Sequence, residues 1–173
     1  MTNQEIKARP SVDFMLRSTQ QHHVQLSAMA DQKANIVIAF SSIVFTVSLG
    51  NIEKLSQSWG FVVLAFFSLM ALVYAILSVV PMVERKKAKQ AITTFNPLFF
   101  GHFAELEMDE YVTRMKNIIK DDDEVYEAII KDIYQIGGVL KTKKYRYLKI
   151  SYRIFLAGLF ISASVFVVQF MTT

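Results

Sequence analysis

The side chains with the most chemistry to offer are three histidines, an acidic run at Asp121-Asp122-Asp123-Glu124 and several basic clusters. His22 and His23 are adjacent, so on a helix they diverge by about 100° and cannot share a metal ion unaided. His102 stands at no ligand spacing from either, so the three read as surface or packing residues. A calcium loop needs oxygen ligands at alternating positions, a glycine turn and a distal bidentate Glu. The acidic run lacks that pattern and reads instead as a helix start, because Asp121 and Glu124 have capping-box spacing and negative charge suits a helix amino end. Arg85, Lys86, Lys87 and Lys89 fit a topological anchor touching lipid head groups, with nucleotide contact as the alternative. The sequence contains no phosphate-binding Walker loop, dinucleotide fingerprint, zinc-protease helix or nucleophile turn, so the expectation is a protein that is not an enzyme and holds no metal or resident cofactor. Cysteine is absent, which removes disulfides and thiolate sites.

Asp31 and Lys33 occupy a more specific place, in Ala30-Asp31-Gln32-Lys33-Ala34-Asn35 at the start of an apolar run. They either anchor that run at the membrane surface or make a polar contact with the long loop that follows the second span, where Asn96-Pro97-Leu98-Phe99-Phe100-Gly101-His102-Phe103 forms an unusual aromatic turn. Pro97 and Gly101 punctuate this turn, and its phenylalanines could pack at the membrane or line a pocket.

The elements that position these residues follow from hydropathy. With 53% hydrophobic and 20% charged residues in a chain of 173, the composition is that of a membrane protein. A bilayer crossing takes about 20 apolar residues. Residues 34–52, 61–83 and 150–171 meet the need, and the stretches 34–49, 61–83 and 154–171 carry no charged side chain. Ionisable groups at membrane depth mark pumps and secondary transporters, which are therefore excluded, although a hydrophobically gated channel is not. Small and hydroxyl residues recur instead: Ser41, Ser42, Thr46 and Ser48 in the first span, and Gly158, Ser162, Ala163 and Ser164 in the third. Gly158 and Ser162 have the spacing of a close-approach face, either for self-association or for packing within one subunit.

The polar start of the chain does not read as a cleaved secretory signal. Lys and Arg are concentrated before the first span and in residues 84–149, whereas Lys54 stands alone between the first and second spans. This asymmetry places residues 1–33 and 84–149 in the cytoplasm, 53–60 as an outer turn and the carboxyl terminus outside.

The periodicity of Val12, Met15, Leu16, Thr19, His23, Leu26 and Ala30 predicts one helix from about Val12 to Leu49. In the 84–149 module, a helix over Phe103–Lys120 should bury Phe103, Leu106, Met108, Tyr111, Val112, Met115, Ile118 and Ile119. The next should bury Val125, Ile129, Ile133, Ile136 and Leu140, with Gly137-Gly138 loosening its end. The expected fold is an all-α membrane protein of three transmembrane helices, with a long amino-terminal helix and a cytoplasmic helical hairpin between spans two and three.

These stretches resemble the transmembrane effector family of the Pycsar antiphage systems, in which a pyrimidine nucleotide cyclase signals to a membrane effector. The likeness rests on Leu26 with Ala30 to Asn35, on Asn96 to Phe103 with Tyr111, and on Lys144-Tyr145 with Leu148, in that order relative to the spans. It implies a bacterial inner-membrane protein, activated by cyclic CMP or cyclic UMP, that impairs the membrane and causes abortive infection. It also implies contact with membrane lipid, a homo-oligomer and no nucleic acid polymer as partner. The sequence has no glycine-rich phosphate cassette of a cyclic-nucleotide-binding β-roll, so the ligand is expected on the helical module. A base would stack on an aromatic ring, with phosphate held by Arg17, Lys33, Arg114 or Lys144. Asp31, Asn96 and His102 complete the candidate ligand-binding set. The alternative function is a non-enzymatic scaffold that recruits a cytoplasmic partner, or a small channel.

Overall fold

A computed structural model describes residues 9–51, 59–80, 95–104 and 106–172. The basic run at Arg85, Lys86, Lys87 and Lys89, most of the expected 53–60 turn, the end of the second span and Thr173 lie outside the described residues. The order is α1 (Pro10–Gly50), α2 (Trp59–Val79), α3 (Phe100–Phe103), α4 (Met108–Ile118), α5 (Asp122–Val139), a π-helical turn (Leu140–Lys144) and α6 (Tyr145–Thr172). Among the described residues there is no strand.

The chain divides into two compact units. One holds the chain up to Leu26 and from Pro81 to Leu140; the other holds Ser27–Val80 and Lys141–Thr173.

The long helix expected from about Val12 to Leu49 is present as α1. Pro10 opens it, where a missing N–H and a fixed φ do no harm, and the Arg9 carbonyl accepts from Val12 and Asp13 at 2.9 and 3.1 Å. After Gly50 the Asn51 side chain donates from Nδ2 to the Val47 carbonyl at 2.8 Å, its backbone N–H donates to the Ser48 carbonyl at 3.2 Å, and the helix stops.

In the second unit, α1, α2 and α6 are each long and apolar enough to cross a membrane. Their packing reverses that of a soluble core. Apart from Val37 and Leu148, the covered positions are small or hydroxylic, among them Ala30, Ala34, Ser41 and Ser48 on α1, Ala65, Ser68, Ala71 and Ala75 on α2, and Ser151, Gly158 and Ser162 on α6. Large apolar side chains point outward, as with Phe40 and Phe66 at 59% and 60% exposure and Phe160 at 73%. Lipid is as apolar as these side chains, so nothing drives them inward, and close backbone approach becomes the source of cohesion.

Helices α2 and α6 run antiparallel. Phe61 meets Phe166 edge to face at 4.9 Å, the Ser151 hydroxyl donates to the Ala71 carbonyl at 2.6 Å, and Tyr74 stacks on Tyr147. The Gly158–Ser162 face is spent within this subunit, since a Cβ on Gly158 would overlap Phe67. Ala30 and Ala34 of α1 pack on Leu148 of α6, with Val79 and Tyr145 against them.

In the first unit, Asp121 caps α5 by accepting from the Asp123 N–H at 3.0 Å, so the expected helix start is present but the donor is Asp123. Three details depart from the periodicity. Residues 100–103 form a separate helical turn, and α4 begins only at Met108. Met108 and Ile119 are exposed, at 78% and 65%. On α5 the most covered side chains are Tyr126, Ala128 and Asp132, while Val125, Ile129, Ile133 and Ile136 are half-buried. Apolar periodicity misplaced this face because polar side chains occupy it. Gly137 and Gly138 lie in the last turn of α5, which ends at Val139 and is followed by the π turn and α6.

Close packing at Gly158 gives a direct test. Gly158→Ala should lower unfolding stability by about 1–3 kcal/mol, the usual cost of overpacking. Gly138→Ala, where a Cβ meets open space, should be neutral or stabilising by up to about 1 kcal/mol through helix propensity. Thermal unfolding of the detergent-solubilised full chain reads both.

Candidate functional site

The aromatic turn is built around one asparagine. Asn96 is 1% exposed, and both polar atoms of its side chain are engaged: Nδ2 donates to the Ala128 carbonyl at 2.8 Å, and Oδ1 accepts from the Leu98 N–H at 3.1 Å. The second bond is an Asx turn, and Pro97 sets the backbone dihedral it needs. The Phe99 N–H then closes on the Asn96 carbonyl at 3.1 Å. Gly101 is required where it stands, because a Cβ would lie 2.7 Å from the Phe99 ring.

This turn delivers His102 to a defined place. The Asn96 N–H donates to His102 Nδ1 at 3.0 Å, so the proton of the neutral ring is on Nε2. The imidazole stacks on Phe95 at 5.5 Å and meets Phe99 edge to face at 5.0 Å. Arg114, from α4, lays its guanidinium carbon 4.5 Å from the centre of the Phe95 ring. Its Nε and one terminal nitrogen also donate to Glu110 at 3.0 and 2.7 Å. Asn96, His102 and Arg114, three of the candidate positions, thus converge on Phe95. A cavity of about 80 Å³ adjoins Phe95 and Asn96, lined also by Pro97, Glu124 and Lys131 among others, with neither His102 nor Arg114 in its wall. Lys131 reaches Glu127 at 2.6 Å. The cavity has room for a few water molecules and not for a nucleotide.

Lys144 and Asp31 meet in the other unit. Lys144 Nζ donates to both Asp31 carboxylate oxygens at 2.7 and 2.6 Å and to Ser27 Oγ at 2.8 Å, so all three ammonium protons are used. The partner of Asp31 is thus a residue of the 84–149 loop, Lys144, which ends the π turn. Such turns are frequent at functional sites. Arg17 and Lys33 are exposed on α1.

A second polar set in the first unit was missed by sequence reasoning. The Tyr126 hydroxyl donates to Asp13 at 2.6 Å, and Gln20 Nε2 donates to Asp132 at 2.9 Å. Bonding to Asp13, with burial second, raises the Tyr126 phenol above its ordinary range. Burial raises the Asp132 carboxyl, opposed by the Gln20 bond and the nearby His23. Gly137 lies beside the His23 ring, whose Nδ1 is covered and has no hydrogen-bond partner. The available signal was spacing: Asp13, Leu16, Gln20, His23, Ser27, Ala30 and Ala34 follow alternating steps of three and four. A search for apolar residues passes over that seam because most of its members are polar or small.

Residues 14–171 match a family model described as the Pycsar effector protein domain. No curated protein and no solved structure matches the chain.

The Asp132 environment predicts a pH dependence. An acid whose folded pKa is raised contributes stability below its unfolded pKa and loses it as pH rises through the folded value. Asp132→Asn retains an acceptor for Gln20 without the charge. The variant should be at least as stable as wild type at pH 7–8, with its advantage shrinking as the pH falls towards 4. Thermal unfolding across that range checks this, and a variant less stable at every pH would mean that the carboxylate is net stabilising.

Proposed function

The chain belongs to the Pycsar effector protein family, and from that premise we propose that it is activated by a cyclic pyrimidine nucleotide, cyclic CMP or cyclic UMP, made by a partner cyclase. Activation impairs the inner membrane and kills the infected cell before phage matures. Residues 1–33 and 84–149 face the cytoplasm and the carboxyl terminus faces the periplasm, a reading supported by the concentration of Lys and Arg in the first two segments. The protein acts without catalysis, as a homo-oligomer in contact with lipid. The observation that carries the reading is the family match over residues 14–171, joined to three long apolar helices whose stretches 34–49, 61–83 and 154–171 carry no Asp, Glu, Lys or Arg.

In this proposal the nucleotide binds the first unit at Phe95, His102 and Arg114. The base stacks on the aromatic pair, and the phosphate takes Arg114 from Glu110. Asn96 holds the turn in place, and the other basic candidates, Arg17, Lys33 and Lys144, contribute charge around the module. A ligand shifts a protein only through unequal affinity for its two states.

Co-expression with a cyclase producing cyclic CMP or cyclic UMP should depolarise cells that carry the full chain, and an inactive cyclase should not. Arg114→Ala removes a charged hydrogen-bonding group of the kind that contributes about 1.5–3 kcal/mol. The nucleotide concentration needed for depolarisation should rise roughly tenfold to a hundredfold. Lys116→Ala, on the same helix, should leave it unchanged. Equal responses from the two variants would remove Arg114 from the site, and unchanged potential with active cyclase would remove the effector reading itself.

A further inference from the structure

The covered faces of the three spans carry hydroxyl groups along most of their length. Ser48, Ser68 and Ser78 donate to carbonyls of their own helices at 2.7, 2.5 and 2.7 Å, Ser162 does so at 3.2 Å, and Ser151 crosses to Ala71. Ser41 is the exception. It is 0% exposed, and its Oγ meets no hydrogen-bond partner. Ser42, its neighbour on the outer side, bonds back to Ile38 at 2.7 Å, so the local backbone can satisfy a hydroxyl. Ser41 lies seven residues into the uncharged run, about 10 Å along the helix from Ala34 at the standard rise, which places it about a third of the way across a hydrocarbon core of about 30 Å.

An unpaired hydroxyl in hydrocarbon lacks the partner that water would supply. Water needs two or more polar groups to settle, and the other serine oxygens keep spare acceptor capacity after donating to carbonyls. We infer that this hydroxyl-bearing interior, centred on Ser41, is what hydrates on activation, forming a path for water and small monovalent ions. A lining with hydroxyls and no formal charge predicts weak selectivity between sodium and potassium. The inference rests on the proposed reading that activation makes the membrane leaky, and it assigns the leak to the protein interior rather than to distorted lipid.

The chain contains no cysteine, so Ser41→Cys introduces a single thiol of similar size. The full-length variant, reconstituted in liposomes, is exposed to a charged, membrane-impermeant thiol reagent with and without cyclic CMP or cyclic UMP, while potassium release is followed. Thiols react as thiolates, which form in water and not in hydrocarbon. Labelling should be at least about tenfold faster with the activating nucleotide, and modification should alter the leak. Phe40→Cys, at a position 59% exposed on the outer face, should stay unlabelled in both conditions. Unchanged helicity and melting temperature of the Ser41→Cys protein without nucleotide establish that the variant folds. Leak with no labelling at position 41 overturns the inference and leaves the effector reading intact. Wild-type protein that leaks with neither nucleotide overturns both.

Discussion

Water is missing from the bilayer interior, and the arrangement of the spanning helices answers to that condition. Burial of large apolar groups cannot hold them together, because lipid receives such groups equally well. Contact area has to come from backbones brought close, which explains why alanine, serine and glycine take the inner positions while phenylalanine and isoleucine face outward. Gly158 against Phe67 is the closest of these approaches, and the bond from Ser151 to Ala71 ties two helices directly. Each hydroxyl that enters the interior must bring its acceptor with it, and serine can borrow one from the preceding turn of its own helix. Serine is thus the polar residue with least cost at these positions, and Ser41, which has not borrowed, stands apart.

The first unit solves a different problem. It must hold α1 beside α5 in one register, although the residues between them are seldom large and apolar. Asp13 and Gln20 on α1 are seven residues apart and their partners Tyr126 and Asp132 on α5 are six apart in the same direction, so the helices run parallel and the pairs fix their alignment. A slip by one residue would leave a buried carboxyl and a phenol without partners. Leu16 and Ala128 fill the remaining space as covered apolar side chains. Burial of Asp132 disfavours its charged form, so the register comes at some expense of stability near neutral pH. The trade is reasonable for a helix whose alignment determines what the chain presents along its whole length.

The spans, the continuity of α1 and the all-helical fold were legible because length and uncharged composition leave few alternatives. The inner face of α5 was not, since Val125, Ile129 and Ile133 carry the apolar period while Tyr126 and Asp132 carry the contacts. Periodicity reports where grease lies, and in this unit the registering interactions are polar. Asn96 and His102 were named from an unusual local composition and from family likeness, and Arg114 only as one of four basic residues that could hold a phosphate. Their meeting at Phe95 depends on the Asx turn and on α4, which no spacing rule reveals. The partner of Asp31 was equally hidden, because Lys144 is more than a hundred positions away and reaches it from the end of a π turn.

That last pair bears on how a binding event could act. Lys144 has no proton left to offer, with two on Asp31 and one on Ser27, so a phosphate could recruit it only by displacing a carboxylate that is itself partly shielded from water. Arg114 is in the opposite situation. Its bond to Glu110 lies on an exposed helix face, where such pairs contribute little, and its planar face already rests on Phe95. Replacing Glu110 by a phosphate would exchange one anion for another and leave the stacking untouched. Of the two basic groups, the one that is easier to redirect therefore stands beside the aromatic rings, while the one that is harder to redirect holds α1 to α6. On the proposed reading this separates the tasks: Arg114 is available to sense, and Lys144 keeps the spanning helices aligned until sensing has occurred.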